Sequence, residues 1–325
     1  MKFDGSQPKQ LTTGGATGFN TDPNEQYLTY NTYDRALKIL DIVKKTSELI
    51  AKPSNYSEWV WAHSWSPDGK KLIYTRVINP ANDNICSLFI YDVVTKKSTE
   101  LMGVGCDANW SPDGKSILFT TKEEGQIFNT HKDQQLQIGI LNLEKGDISY
   151  VPVGAYSYYS GSWSRNGKQL LMAVIDEQKQ TYLYVFNWKD SSVNLISKIG
   201  YLQWPIYYSW SPDGNMVLYE LIESSLSYKH YLYLLDIKNK EITNLHTLLG
   251  LDTRFDYWWK YSPIWSPDGK YYAYFTMSSM ETNYEQNFVL NIKSIESEGN
   301  IQFQVPRKGF SIRMLWINNE TEFEN

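Results

Sequence analysis

The sequence predicts an all-β chain folded as a seven-bladed β-propeller of four-stranded antiparallel blades, on three observations. A short turn motif recurs at near-regular spacing, each copy is followed by apolar runs of strand length, and the composition favours strands. Of 325 residues, 25 are Tyr and 12 are Trp, side chains that suit a pleated sheet surface better than a helix. A chain of this length buries about three quarters of its unfolded surface, enough for a substantial core.

The motif is WSPDGK at Trp65–Lys70, Trp110–Lys115 and Trp265–Lys270, with WSPDGN at Trp210–Asn215. A weaker copy begins at Trp163, an earlier one at Thr21, and a seventh marker is Trp316. Successive markers lie 44, 45, 53, 47, 55 and 51 residues apart, so the length variation falls in loops. Each hexamer reads as a hairpin turn. Ser and Asp bond nearby backbone, Pro sets φ, and Gly accepts the positive φ that follows.

After the turn comes strand B, such as Leu72-Ile73-Tyr74 or Val217-Leu218-Tyr219, and then strand C, such as Leu88-Phe89-Ile90-Tyr91-Asp92. A second turn, such as Thr95-Lys96-Lys97, leads to an outer strand D. Strands B and C are apolar at successive positions, which means that both faces of each sheet are covered, as in a propeller. The expected domain is a single one over 1–325. Six units carry all four strands, and residues 1–13 and 309–325 are expected to combine into a composite seventh blade that protects open edges. A six-bladed arrangement with loose ends is the alternative.

Trp65 to Leu101 and the matching stretches resemble the WD40-like propeller repeat of TolB-type proteins, whose signature is this aromatic-Ser-Pro-Asp-Gly turn. The fourth unit departs from it with Arg165-Asn166 for Pro-Asp, and the first with Glu25 in place of Gly. The resemblance implies a binding or scaffolding propeller, and related proteins are often exported. Two other groups carry similar repeats. Some propeller lyases act on uronic-acid oligosaccharides and bind metal through histidines, and prolyl-oligopeptidase-type peptidases join a propeller to a hydrolase domain. An oligouronide lyase and a detached peptidase propeller are therefore the alternative functions.

Composition narrows the partners. Net charge is −5 with both signs interspersed, so no basic stripe is present to hold nucleic acid. No apolar run is long enough to span a membrane, and Met1-Lys2-Phe3-Asp4-Gly5 lacks the apolar stretch of a secretory signal. The expected partner is a protein segment or an oligosaccharide, with no cofactor.

In such a fold the A-to-B and C-to-D turns share one end of each blade, while the D-to-A and B-to-C connections share the other. Loops on a rigid scaffold commonly carry binding. Residues 51–64, 151–162, 198–209 and 246–264 hold 14 of the 37 Tyr and Trp in 57 positions, about twice an even spread, which marks that end as a binding mouth. The ligand-binding candidates there are Trp59, Trp61, Tyr158, Trp204, Trp258 and Trp259, with Arg254 and Arg313 as carboxylate forks. The competing reading wedges these rings between blades.

His63, His131, His230 and His246 fall on the same end but on blades two, three and five, without metal-ligand spacing. They are weak metal candidates. No Gly-x-Ser-x-Gly elbow appears, and Glu123-Glu124 lacks a partner that would split its pKa values, so no catalytic constellation is found. Cys86 and Cys106 are the only cysteines. A disulfide between them and two free, half-buried thiols are the open alternatives.

Overall fold

The computed structural model describes residues 16–78, 85–101, 105–122, 136–152, 157–188, 190–201, 204–222, 230–248, 263–280, 286–295 and 300–306. These residues form six four-stranded antiparallel sheets, each in the order A-B-C-D. The blades cover residues 16–51, 58–101, 106–150, 157–201, 204–244 and 264–306. Blade 2 is representative, with strands Glu58–Trp65, Lys71–Ile78, Ile85–Asp92 and Lys97–Leu101.

The propeller is thus six-bladed, and the expected seventh blade is corrected. Counting turn markers counts strand A copies, and a marker without its own B, C and D strands does not make a blade. Every one of the six sheets is complete within a continuous stretch of chain. None is left short of a strand for the chain ends to supply. The segments assigned to the composite blade, with Trp316, lie outside the described residues.

The WSPDGK turns close by the same bonds each time. Ser66 Oγ donates to Asp68 Oδ1 at 2.6 Å and accepts from the Lys71 N–H at 2.9 Å, while Asp68 Oδ1 also accepts from the Lys70 N–H at 3.1 Å. Ser111, Ser211 and Ser266 repeat the arrangement with Asp113, Asp213 and Asp268. In the fourth unit Asn166 Oδ1 takes the place of the carboxylate, 2.8 Å from Ser164 Oγ and 3.0 Å from Lys168 N. In the first unit Asp22 accepts from the N–H of Tyr27 and of Asn24, and Glu25 takes the left-handed φ of 56° itself.

Strand B shows how the core is built. Leu72 and Tyr74 pack toward blade 1 with Leu37, Ile39, Val60 and Trp65, while Ile73, between them, packs toward blade 3 with Trp110, Ile117 and Phe119. Side chains alternate across a strand, so burial of both faces requires consecutive apolar residues. Blade 5 repeats this with Val217 and Tyr219 toward blade 4 and Leu218 toward blade 6.

Contacts divide the chain into two compact units, residues 1–158 with 174–177, and 159–173 with 178–325. Within each, neighbouring blades lock at the turn end. The indole N–H of Trp65 donates to Asn20 O of blade 1 at 3.4 Å, and those of Trp210 and Trp265 donate to Ser162 O and Ser209 O of the preceding blades at 3.2 and 2.8 Å. Trp65, Trp210 and Trp265 are therefore both core and clamp, whereas the buried indole N–H groups of Trp110 and Trp163 make no such bond. Gly69, at φ 70°, lies so close under the first turn that a Cβ there would sit 2.5 Å from Asn24 Nδ2.

Candidate functional site

At the opposite end of blades 1 and 2, the described residues assemble an exposed aromatic platform. Trp59 and Trp61 lie within strand A of blade 2, not in the connection before it, and alternate with buried Glu58 and Val60. They stand 38% and 47% exposed, so they are not wedged into the interblade core. Their rings stack on each other at 5.7 Å with planes 14° apart. Tyr33 and Tyr56, in the neighbouring B-to-C and D-to-A connections, are almost fully exposed.

Arg35 completes the platform. Its guanidinium carbon lies 3.6 Å from the centre of the Trp59 ring, and Nη1 donates to the Tyr56 carbonyl at 2.9 Å. A guanidinium over an indole face is attracted by the ring quadrupole. The backbone that delivers it is strained. Arg35 holds φ at 64° in a turn closed by the bonds Arg35 N to Thr32 O and Thr32 N to Ala36 O. The left-handed region costs a residue with a Cβ about 1–2 kcal/mol, and Gly or Asn is the usual occupant. The same left-handed φ recurs at Lys45, Lys96 and Lys240 in C-to-D turns, so at Arg35 it sets the direction in which the side chain leaves the backbone and does not by itself mark a site.

The loop beneath is fixed by a buried ion pair. Glu58, 3% exposed, accepts from Arg76 Nε at 2.6 Å through Oε1 and from the Ser54 N–H at 2.6 Å through Oε2. Arg76 Nη2 donates to Lys52 O at 3.2 Å, and the Glu58 N–H donates to Asn55 O at 3.2 Å. Burial works against the Glu58 carboxylate, but the Arg76 guanidinium and the Ser54 N–H outweigh it and hold the group below the ordinary range. The chain from 52 to 58 is thereby pinned, and it carries the Tyr56 carbonyl that holds Arg35. Support of this kind keeps a surface site in one geometry before a ligand arrives.

The local charge is positive. Glu58 and Arg76 neutralise each other, and Asp34, whose carboxyl is lowered first by its bond from the Thr32 hydroxyl, lies in the field of Lys38 and Lys52. Arg35, Lys38 and Lys52 against Asp34 leave an excess of two positive charges in a chain of net charge −5.

The remaining sequence candidates distribute as follows. His63 sits in strand A of blade 2, bonded through Nε2 to the Thr75 hydroxyl. Burial pushes its pKa down, against the opposing pull of Asp107 on blade 3. Tyr158 and Trp204 lie in the first strands of blades 4 and 5, and His230 in strand C of blade 5. His246 lies in the single helical turn Leu245–Leu248. His131, Arg254, Trp258, Trp259 and Arg313 lie outside the described residues. Among the described residues no three His, Cys, Asp or Glu side chains gather as a metal site. Cys86 is disulfide-bonded, and Cys106, at the start of blade 3, is the only other cysteine in the sequence.

Sequence reasoning missed Arg35 and Glu58. Asp34-Arg35 stands where a hairpin would ordinarily carry Asp-Gly, and that substitution was the readable signal. Glu58 was readable as an acid on the buried phase of a strand that alternates with Trp59 and Trp61.

The sequence matches the TolB beta propeller domain over residues 1–261. Solved structures with the same fold include TolB from Acinetobacter baumannii, with 19% identity and a TM-score of 0.53 over 74% of this chain and 57% of that one. An oligogalacturonate lyase in complex with manganese has 17% identity and a TM-score of 0.60 over 82% and 76% of the two chains. Hydrazine synthase of Kuenenia stuttgartiensis has 13% identity and a TM-score of 0.59 over 91% and 81%. This chain thus spans little more than half the length of the Acinetobacter protein. At such identities the likeness is one of fold, and the fold carries several chemistries. No curated protein is close enough in sequence to count as a relative.

Proposed function

We propose that this chain, which belongs to the TolB beta-propeller family, is a binding module that takes a protein segment or a glycan on the aromatic end of its blades. The observation that carries the reading is the Arg35–Trp59–Trp61 stack, in which two large rings remain exposed and stacked under a guanidinium while the marker tryptophans Trp65, Trp110, Trp163, Trp210 and Trp265 are buried. Exposed, preorganised aromatic surface lowers the entropy cost of binding, because little is left to be ordered.

The test is a panel of neutral and acidic oligosaccharides and extended peptides passed over the immobilised chain. At least one class is expected to bind, with a tenfold or greater loss in Trp61→Ala and Trp59→Ala. A panel without a binder, or a binder indifferent to both substitutions, refutes the reading.

A further inference from the structure

Arg35 has more donors than the platform uses. One face of its guanidinium covers Trp59 and one Nη1 hydrogen goes to the Tyr56 carbonyl, while Nε and Nη2 have no partner among the described residues. That Nε–Nη2 edge is the fork that meets both oxygens of a carboxylate. Among the described residues, the neighbouring carboxylates are bonded elsewhere, Asp34 to the Thr32 hydroxyl and Glu58 to Arg76 and Ser54. Among the described residues, Arg35, Lys38 and Lys52 against Asp34 leave an excess of positive charge in a chain of net charge −5, and charge complementarity of this kind selects partners by sign.

The second recognition element is the indole of Trp61. Trp59 is its ring neighbour, and among the described residues no other ring or cation lies over it. The surface is open, as the exposure of Tyr33, Tyr56, Trp59 and Trp61 shows. Apolar peptide side chains that anchor an interface sit in well-packed, desolvated pockets. An open indole face instead suits the flat, weakly polar face of a pyranose ring, whose C–H groups meet the electron-rich π surface.

We infer that the Arg35–Trp61 platform binds a carboxylated saccharide, with a sugar ring on Trp61 and a carboxylate in the Nε–Nη2 fork of Arg35. The inference rests on the binding reading above and narrows it to one ligand class. Arg35→Gly removes the fork at a position whose φ of 64° suits glycine, so folding is preserved. Arg35→Lys keeps the charge and loses the bidentate geometry.

The probes are oligoglucuronates of two to four units, their methyl esters, neutral cello-oligosaccharides of the same length and an extended Glu-rich peptide, each titrated into the full chain by calorimetry. Oligoglucuronate is expected to bind at least tenfold more tightly than its ester. Arg35→Gly should abolish that preference, Arg35→Lys should lose most of it, and Trp61→Ala should weaken acid and ester alike. Equal affinity for acid and ester, no oligoglucuronate binding, or binding of the acidic peptide alone overturns the inference. Neutral saccharide or peptide binding that depends on Trp61 but not Arg35 would leave the binding module standing and remove only this ligand class.

Discussion

The two ends of blades 1 and 2 use the same residue types for opposite purposes. At the turn end Trp65 is buried, gives its N–H to Asn20 O of the preceding blade, and is followed by a turn whose Ser and Asp satisfy each other. At the far end Trp59 and Trp61, on the same strand, stand exposed and stacked beneath an arginine held in a left-handed conformation. The switch happens within six residues, where the register between strands A and B shifts between Ala62 and Ser64. A repeat can therefore hold its fold at one end while the other end is free to carry binding groups.

The largest contrast is expected from tryptophan truncation. Trp265, 1% exposed, belongs to the turn-end set, and Trp265→Ala should cost about 3–5 kcal/mol through the cavity it leaves and its lost bond to Ser209 O. Trp61→Ala should cost less than about 0.5 kcal/mol, as for an exposed position. Denaturant midpoints compare the two, and equal losses would erase the distinction between the ends.

Next in size is the ion pair beneath the platform. Removing one partner of a buried pair costs about 3–5 kcal/mol, and partial exposure of Arg76 brings the expectation for Arg76→Ala to about 2–3 kcal/mol. The change should also free the chain from 52 to 58, raising collisional quenching of Trp59 fluorescence. Unchanged quenching would mean that Glu58 and Arg76 do not position the platform.

Positive-φ residues offer a smaller and sharper comparison. Lys45, in the C-to-D turn of blade 1, holds φ at 58°. Lys45→Gly and Arg35→Gly should each stabilise the chain by up to about 1 kcal/mol, measured as a rise in Tm. Only Arg35→Gly should lose ligand. Gly69→Ala should act in the other direction and destabilise, because a Cβ at φ 70° meets Asn24.

The smallest effects follow pH. The Ser66 hydroxyl, then the Lys70 N–H, lower the Asp68 carboxyl, and Ser266 and Lys270 do the same for Asp268. A carboxylate lowered in the folded state stabilises above its unfolded value, about 3.9, and that contribution is lost as pH falls through the folded value. His63 titrates first. Its pKa is lowered by burial, so the unfolded chain takes up the proton more readily, and stability should begin to fall as pH drops below about 6.5. Asp68→Asn keeps the acceptor that Asn166 supplies in the fourth turn. It should cost little at neutral pH and soften the acid limb of a Tm–pH profile.

The fold was legible because its signals are local and repeated. Ser66, Asp68 and Gly69 each state a turn bond or a φ, and Leu72-Ile73-Tyr74 states that both faces are buried. The blade count was not, because Trp316 repeats the strand A marker without revealing whether three more strands accompany it. Trp59 and Trp61 were legible as aromatic enrichment, but their exposure depends on the phase of strand A after the Ala62–Ser64 irregularity, which no local pattern encodes. Arg35 lies 24 residues before Trp59, and its role arises only when two blades pack together.

The most direct test of the division between the two ends is 19F NMR of the chain labelled with 5-fluorotryptophan, titrated with oligoglucuronate. The resonances of Trp59 and Trp61 are expected to move while those of Trp65, Trp110, Trp163, Trp210 and Trp265 stay fixed. Movement of the buried marker tryptophans with Trp59 and Trp61 unchanged would contradict that division.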